Sequence, residues 1–122
     1  MLKRTSMAVL ALFAASLIAT SANAHPTLKS ANPPAEGAAS APKELRLNFS
    51  EGVISKFSSV ELKDQSGKKI ATEKTVTDPK DKKQLVIALK EPLRAGSYTV
   101  KWNVVSDDTH RVNGTYSFKV DR

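Results

Sequence analysis

The sequence predicts an all-β domain, a Greek-key sandwich or barrel, and three observations carry that prediction. Apolar residues recur at every second position in six or seven short segments. Turn residues separate those segments at roughly ten-residue spacing, and no helical period appears beyond residue 24.

The first residues belong to something else. Lys3 and Arg4 precede an apolar run from Met7 to Ala19, and Ser21-Ala22-Asn23-Ala24 follows it. A basic start, an apolar centre and an Ala-x-Ala ending make up a secretory signal, with cleavage expected after Ala24. The apolar run covers 13 residues, short of the roughly 20 that span a bilayer, which argues against a retained anchor. Residues 1–24 are therefore expected to be removed, and residues 25–122 to form one domain around one core.

The leader takes 2 of the 19 basic residues and none of the 12 acidic ones, so the domain keeps 17 against 12, a formal +5. Its lysines are scattered along the domain, Lys43 and Lys119 among them, with no Arg-rich stripe and few interleaved aromatics. That pattern describes a solvated surface and argues against nucleic acid as a partner. The chain has no cysteine, so disulfides cannot brace it and thiolates cannot bind metal; the apolar core must hold the fold.

Prolines at 26, 33, 34 and 42 exclude a helix at the start of the domain and predict an extended lead-in followed by turns. Leu45, Leu47 and Phe49 alternate with Glu44, Arg46 and Asn48, the mark of a half-buried strand. Val60 and Leu62 form the next one, and Asp64-Gln65-Ser66-Gly67 turns the chain before Lys69-Ile70. The polar stretch from Ala71 to Lys83 reads as a short strand near Thr72–Val76 and then a loop. Leu85, Ile87 and Leu89 resume the alternation, and Pro92 and Gly96 mark a reversal. Tyr98, Val100, Trp102 and Val104 share one face of the clearest strand. A turn region at Asn113-Gly114 then precedes a last strand carrying Tyr116, Phe118 and Val120. Leu93 to Tyr98 has the make-up of a tyrosine corner, in which the phenol bonds upstream backbone. The predicted interior comprises Leu47, Phe49, Leu85, Ile87, Val100, Trp102 and Phe118.

The domain holds two histidines, His25 and His110. Cleavage after Ala24 makes His25 the first residue, whose free α-amine and imidazole Nδ1 can close a chelate ring around one ion. Pro26 lacks the N–H that amide-recruiting amino-terminal copper motifs deprotonate, so the remaining ligands must come from elsewhere in the fold. Asp108 and His110 are two apart, and on extended backbone both side chains would project to one side. Two imidazoles, one amine and one carboxylate suit tetragonal copper(II), with zinc as the competing ion. A loop histidine that merely meets solvent or caps backbone is the plain alternative. A hydrolytic triad is not supported, because residues two apart in one loop do not readily serve as orienter and base for a serine.

Several longer patterns cover nearly the whole domain. They are His25-Pro26-x-Leu28-x-Ser30, Pro33/Pro34-Ala35-x-Gly37, Ala41-Pro42, Leu45-x-Leu47-x-Phe49-Ser50-Glu51, Leu93-x-x-Gly96-x-Tyr98-x-Val100-x-Trp102-x-Val104-Val105-Ser106, and Asp108-x-His110 ahead of Tyr116-x-Phe118-x-Val120. In these the chain resembles the CopC family of periplasmic copper-resistance proteins. The resemblance implies a cupredoxin-like, immunoglobulin-related β-barrel that binds one copper(II) ion in the periplasm through His25, Asp108 and His110. It makes Glu51 a candidate for orienting the amine by a hydrogen bond, against the alternative of a plain surface carboxylate.

The function so implied is non-catalytic: a monomer that sequesters or delivers copper for homeostasis or resistance, with an inner-membrane copper transporter as a possible partner. Two other classes compete. A copper-dependent oxidative enzyme would use a histidine brace resembling that of lytic polysaccharide monooxygenases, but Asp108 would take an equatorial position that oxygen activation needs open. An adhesion or interaction sandwich would leave both histidines idle. Some family members carry a methionine-rich loop for copper(I), whereas the middle of this chain is rich in Lys and Thr, and its last methionine is Met7. Soft thioether ligands being absent, a single copper(II) site is expected. Thr109 stands where the family usually has Gly, a change expected to stiffen the loop without removing a ligand.

Overall fold

The computed structural model describes residues 26–121, so His25 and the expected leader lie outside the described residues. The described chain forms nine strands: β1 Leu28–Asn32, β2 Ala38–Ser40, β3 Glu44–Phe49, β4 Ser59–Asp64, β5 Lys69–Ile70, β6 Val76–Asp78, β7 Asp81–Ala88, β8 Gly96–Val105 and β9 Arg111–Asp121. A 3-10 turn at Ser55–Phe57 is the one helical element among the described residues. The strands make two sheets, β1-β3-β7-β6 and β2-β9-β8-β4-β5. All pairings are antiparallel except that of β2 with β9. This is the two-sheet sandwich expected.

The period of two explains the core. From β3 the side chains of Leu45, Leu47 and Phe49 turn inward, opposite Leu85 and Ile87 of β7 in register Leu45↔Ile87 and Leu47↔Leu85. The other sheet answers with Val60, Leu62, Tyr98, Val100, Trp102, Val104, Tyr116, Phe118 and Val120, all buried. Phe49 meets Trp102 edge to face across the sheets, ring centres 5.3 Å apart. All seven residues predicted for the interior are buried. With no disulfide available, these side chains hold the domain, each contributing roughly 1.5–3 kcal/mol by leaving water. The tyrosine corner is present too: the Tyr98 hydroxyl donates to the Arg94 carbonyl at 2.7 Å.

Three expectations need correction. The strand count rises from six or seven to nine because the proline-bracketed lead-in, expected as extended chain and turns, also pairs as β1 and as β2, which spans only three residues, too few for alternation to register. The strand expected near Thr72–Val76 instead covers Val76–Asp78, and β7 already begins at Asp81, so the supposed loop shrinks to Pro79-Lys80. This part of β7 is polar because Lys82 and Lys83 are exposed. Asn113-Gly114 is no turn; the pair sits inside β9, opposite Asn103 and Trp102 of β8. The glycine is there for space: a Cβ at Gly114 would lie 2.4 Å from the Trp102 ring.

One end of the sandwich gathers the connections around Glu51, Asp108 and His110. Leu28 of β1 pairs with Phe49 at the end of β3, Ser59 opens β4 opposite Asn103, and β8 and β9 close their ladder at Val105↔Arg111. A bridge between Val53 and Ser106 and a bond from the Val53 N–H to the Lys82 carbonyl at 3.0 Å tie the two sheets together here.

Candidate metal centre

The start of the described chain is anchored at this end. Thr27 and Ser50 hold each other: the Ser50 N–H donates to the Thr27 carbonyl at 2.8 Å, and the Thr27 N–H donates to Ser50 Oγ at 2.9 Å. Pro26 is fully buried. Glu51 follows directly, half-buried, and its Oε2 is shielded from water with no hydrogen-bond partner among the described residues. The next carbonyl, of Gly52, accepts from the Asp107 N–H at 2.9 Å, which fastens the β8–β9 loop to the same segment.

That loop, residues 106–110, is closed by its own backbone. The Ser106 N–H donates to the His110 carbonyl at 2.9 Å, and the Thr109 N–H donates to the Ser106 carbonyl at 2.8 Å. Thr109 adopts a left-handed conformation with φ 68°. Asp108 and His110 do share a side, as expected, but a tight turn and not extended backbone brings them there.

Asp108 Oδ1 lies 3.1 Å from His110 Nδ1, with both side chains a little over two-fifths exposed. The same oxygen accepts from the Ser106 hydroxyl, which in turn accepts from the His110 N–H at 3.3 Å. The Ser106 hydroxyl, and after it His110, hold the Asp108 carboxyl below the ordinary carboxylate range. The site therefore offers an ionised carboxylate and an imidazole side by side at the surface.

Of the four residues singled out from the sequence, the fold brings Asp108 and His110 together, sets Glu51 in the segment that anchors the loop, and leaves His25 outside the described residues. Among the described residues no group of three or more His, Cys, Asp and Glu is arranged to hold an ion. Ser106 was missed from the sequence, and only its place two residues before Asp108 could have drawn attention to it. The Thr27–Ser50 clamp left no sequence signal.

Comparison with known proteins agrees with this architecture. The family model described as the CopC domain matches residues 28–121. Copper resistance protein C of Escherichia coli is 42% identical over 109 residues, covering 84% of this chain and 86% of that protein. The crystal structure of PcoC, described as a methionine-rich copper resistance protein from Escherichia coli, superposes with a TM-score of 0.74 at 42% identity, over 80% of this chain and 100% of that one. CopC from Methylosinus trichosporium OB3b superposes equally well, TM-score 0.74 at 36% identity, over 80% and 94% of the two chains.

Proposed function

The chain belongs to the CopC family, and from that premise we propose that it is a periplasmic copper(II)-binding protein that sequesters or delivers the ion for copper homeostasis. It is a binding protein and not an enzyme. Residues 1–24 serve as the export leader, and the domain of residues 25–122 carries one site made of the His25 amine and imidazole, the Asp108 carboxylate and the His110 imidazole.

The observation that carries this reading is the Asp108–His110 pair, 3.1 Å apart in a loop fastened to the segment that also anchors the start of the domain. Buried Pro26 and clamped Thr27 limit where the preceding residue can reach, and they do so beside the segment that holds the loop. That supports a site completed by residue 25 once Ala24 is cut away, because in the precursor the nitrogen of His25 is an amide and cannot serve as an amine ligand. The shielded Oε2 of Glu51 suits a hydrogen bond to that amine.

The donor set is nitrogen and oxygen, which copper(II) favours. With methionine only at positions 1 and 7, the domain lacks the soft ligands of a methionine-rich relative and holds copper(I) poorly. An inner-membrane copper transporter is the partner this cargo implies.

The test uses the mature protein, residues 25–122, and a version with one Gly added before His25. The mature protein should bind one copper(II) per chain, measured by mass and by competition titration. The extended version should bind orders of magnitude more weakly while its metal-free melting temperature stays the same. Equal affinities would remove the amino-terminal chelate from the site.

A further inference from the structure

We infer that Ser106 is a positioning residue of the copper site: its hydroxyl commits one oxygen of Asp108 and leaves the other to face the ion. This rests on the reading of Asp108 and His110 as ligands.

Ser106 is the only fully buried polar residue among the described residues, 0% exposed in an interior otherwise made of aliphatic and aromatic side chains. A hydroxyl in such a place must spend its hydrogen bonds on protein. Its single proton goes to Asp108 Oδ1, and its lone pair takes the His110 N–H at 3.3 Å. One small side chain thereby touches both ligand residues.

Closing the loop does not require that hydroxyl. The backbone bonds Ser106 N–H to His110 carbonyl, 2.9 Å, and Thr109 N–H to Ser106 carbonyl, 2.8 Å, already close it, and any residue but proline at 106 could make them. What the hydroxyl adds is control of the carboxylate. With Ser106 and His110 Nδ1 both at Oδ1, Oδ2 is the oxygen left for metal, so Asp108 acts as a one-oxygen ligand of fixed orientation.

Ser106→Ala should fold and should weaken copper(II) binding by about 10- to 100-fold, the usual effect of removing a group that orients a ligand. It should also shift the visible and electron paramagnetic resonance spectra of the bound copper(II), since the carboxylate is freed to turn. Ser106→Thr, which keeps the hydroxyl, should retain both affinity and spectrum. In an Asp108→Ala background the Ser106→Ala step should change affinity by less than about twofold, because the group it acts through is gone. An unchanged affinity and spectrum in Ser106→Ala overturns the inference, as does an equal loss in the Asp108→Ala background. Failure of Ser106→Ala to fold overturns it too, since the hydroxyl would then serve the fold and not the ion. Should Asp108→Ala bind copper(II) as tightly as the parent, the ligand assignment beneath the inference fails instead.

Discussion

Two acidic loops lie at opposite ends of β8 and use the same residue types to different ends. At one end, in the Asp64–Lys68 turn, Asp64 Oδ1 accepts from the Ser66 N–H at 2.9 Å, the Ser66 hydroxyl at 2.6 Å and the Lys68 N–H at 2.9 Å. At the other, the Asp108 carboxylate is held chiefly by two side chains, Ser106 and His110. Both carboxyls are held below the ordinary range, Asp64 by the Ser66 hydroxyl first and the Lys68 backbone second. A depressed carboxyl is therefore no mark of function by itself. The partners decide: Asp64 shares one oxygen among two N–H groups of its own turn and the Ser66 hydroxyl, and so caps backbone, while Asp108, also met by a serine hydroxyl, stands beside an imidazole, the pair proposed to meet an ion.

The largest expected contrast is in pH. Imidazoles ordinarily titrate near 6.5 and α-amines near 7.7–8.0, so the proposed site, with its three nitrogen donors, should lose copper(II) affinity by orders of magnitude between roughly pH 8 and 5. Bound metal lowers the apparent values, so release lags somewhat below them. The fold responds elsewhere. Asp64 and Asp78 are both depressed, Asp78 by the Lys80 N–H first and Arg46 second. Depressed carboxyls contribute stability that is present above their unfolded values, about 3.9, and lost only as pH falls through their lower folded values. Copper should leave well before the metal-free domain melts, followed by titrating copper(II) binding and circular dichroism in parallel. Loss of both in one pH window would break the separation of the two loops.

Substitution sharpens the same contrast. Asp108→Ala should lower copper(II) affinity by more than about a hundredfold, exceeding the loss typical of merely orienting groups, and should lower the metal-free melting temperature by less than Asp64→Ala does, since only the Ser106 hydroxyl and the His110 imidazole lose a partner. Asp64→Ala should do the reverse, lowering the melting temperature while the affinity stays put. Calorimetric titration and thermal denaturation of both variants give the four values required. A third substitution isolates the scaffold between the loops: Gly114→Ala drives a Cβ to 2.4 Å from the Trp102 ring, and forced overpacking of this kind costs about 1–3 kcal/mol. Denaturant unfolding should show that loss without a change in copper stoichiometry.

How much of this was legible in the sequence depended on whether a residue's role left a periodic trace. Leu45, Leu47 and Phe49 announce both strand and inward face, since alternation is the geometry itself. Tyr98 announces its corner through the residues before it. The segment 71–83 was misread because β6 is three residues long and the start of β7 is polar on both faces. Gly114 imitates a turn residue, and only the position of the Trp102 ring across the strand shows that it clears space. The adjacency of Asp108 and His110 was legible by spacing, whereas the place of Ser106 between them was not, because burial of a single hydroxyl leaves no short-range pattern.

The smallest expected effect concerns the one conformational feature the two loops share. Each places a residue in the left-handed region, Gly67 at φ 85° in the Asp64 turn and Thr109 at φ 68° in the Asp108 loop. Glycine adopts that conformation freely, whereas a residue with a Cβ loses about 1–2 kcal/mol there. Thr109→Gly would relieve that cost and make the loops alike. It would also free the unfolded chain, at a loss of roughly 0.5–1 kcal/mol, and remove the exposed bond from Thr109 Oγ1 to the Asp108 carbonyl at 2.5 Å. The terms nearly cancel, leaving a net stabilisation of less than about 1 kcal/mol. Copper(II) affinity should fall by no more than about two- to fivefold, the factor that 0.5–1 kcal/mol of added loop freedom represents. Thermal denaturation and competition titration of the variant check both numbers. Marked destabilisation would show that the threonine side chain, and not the backbone bonds at Ser106, holds the loop in shape; the difference between the two loops would then lie in packing and not in the partners of their carboxylates.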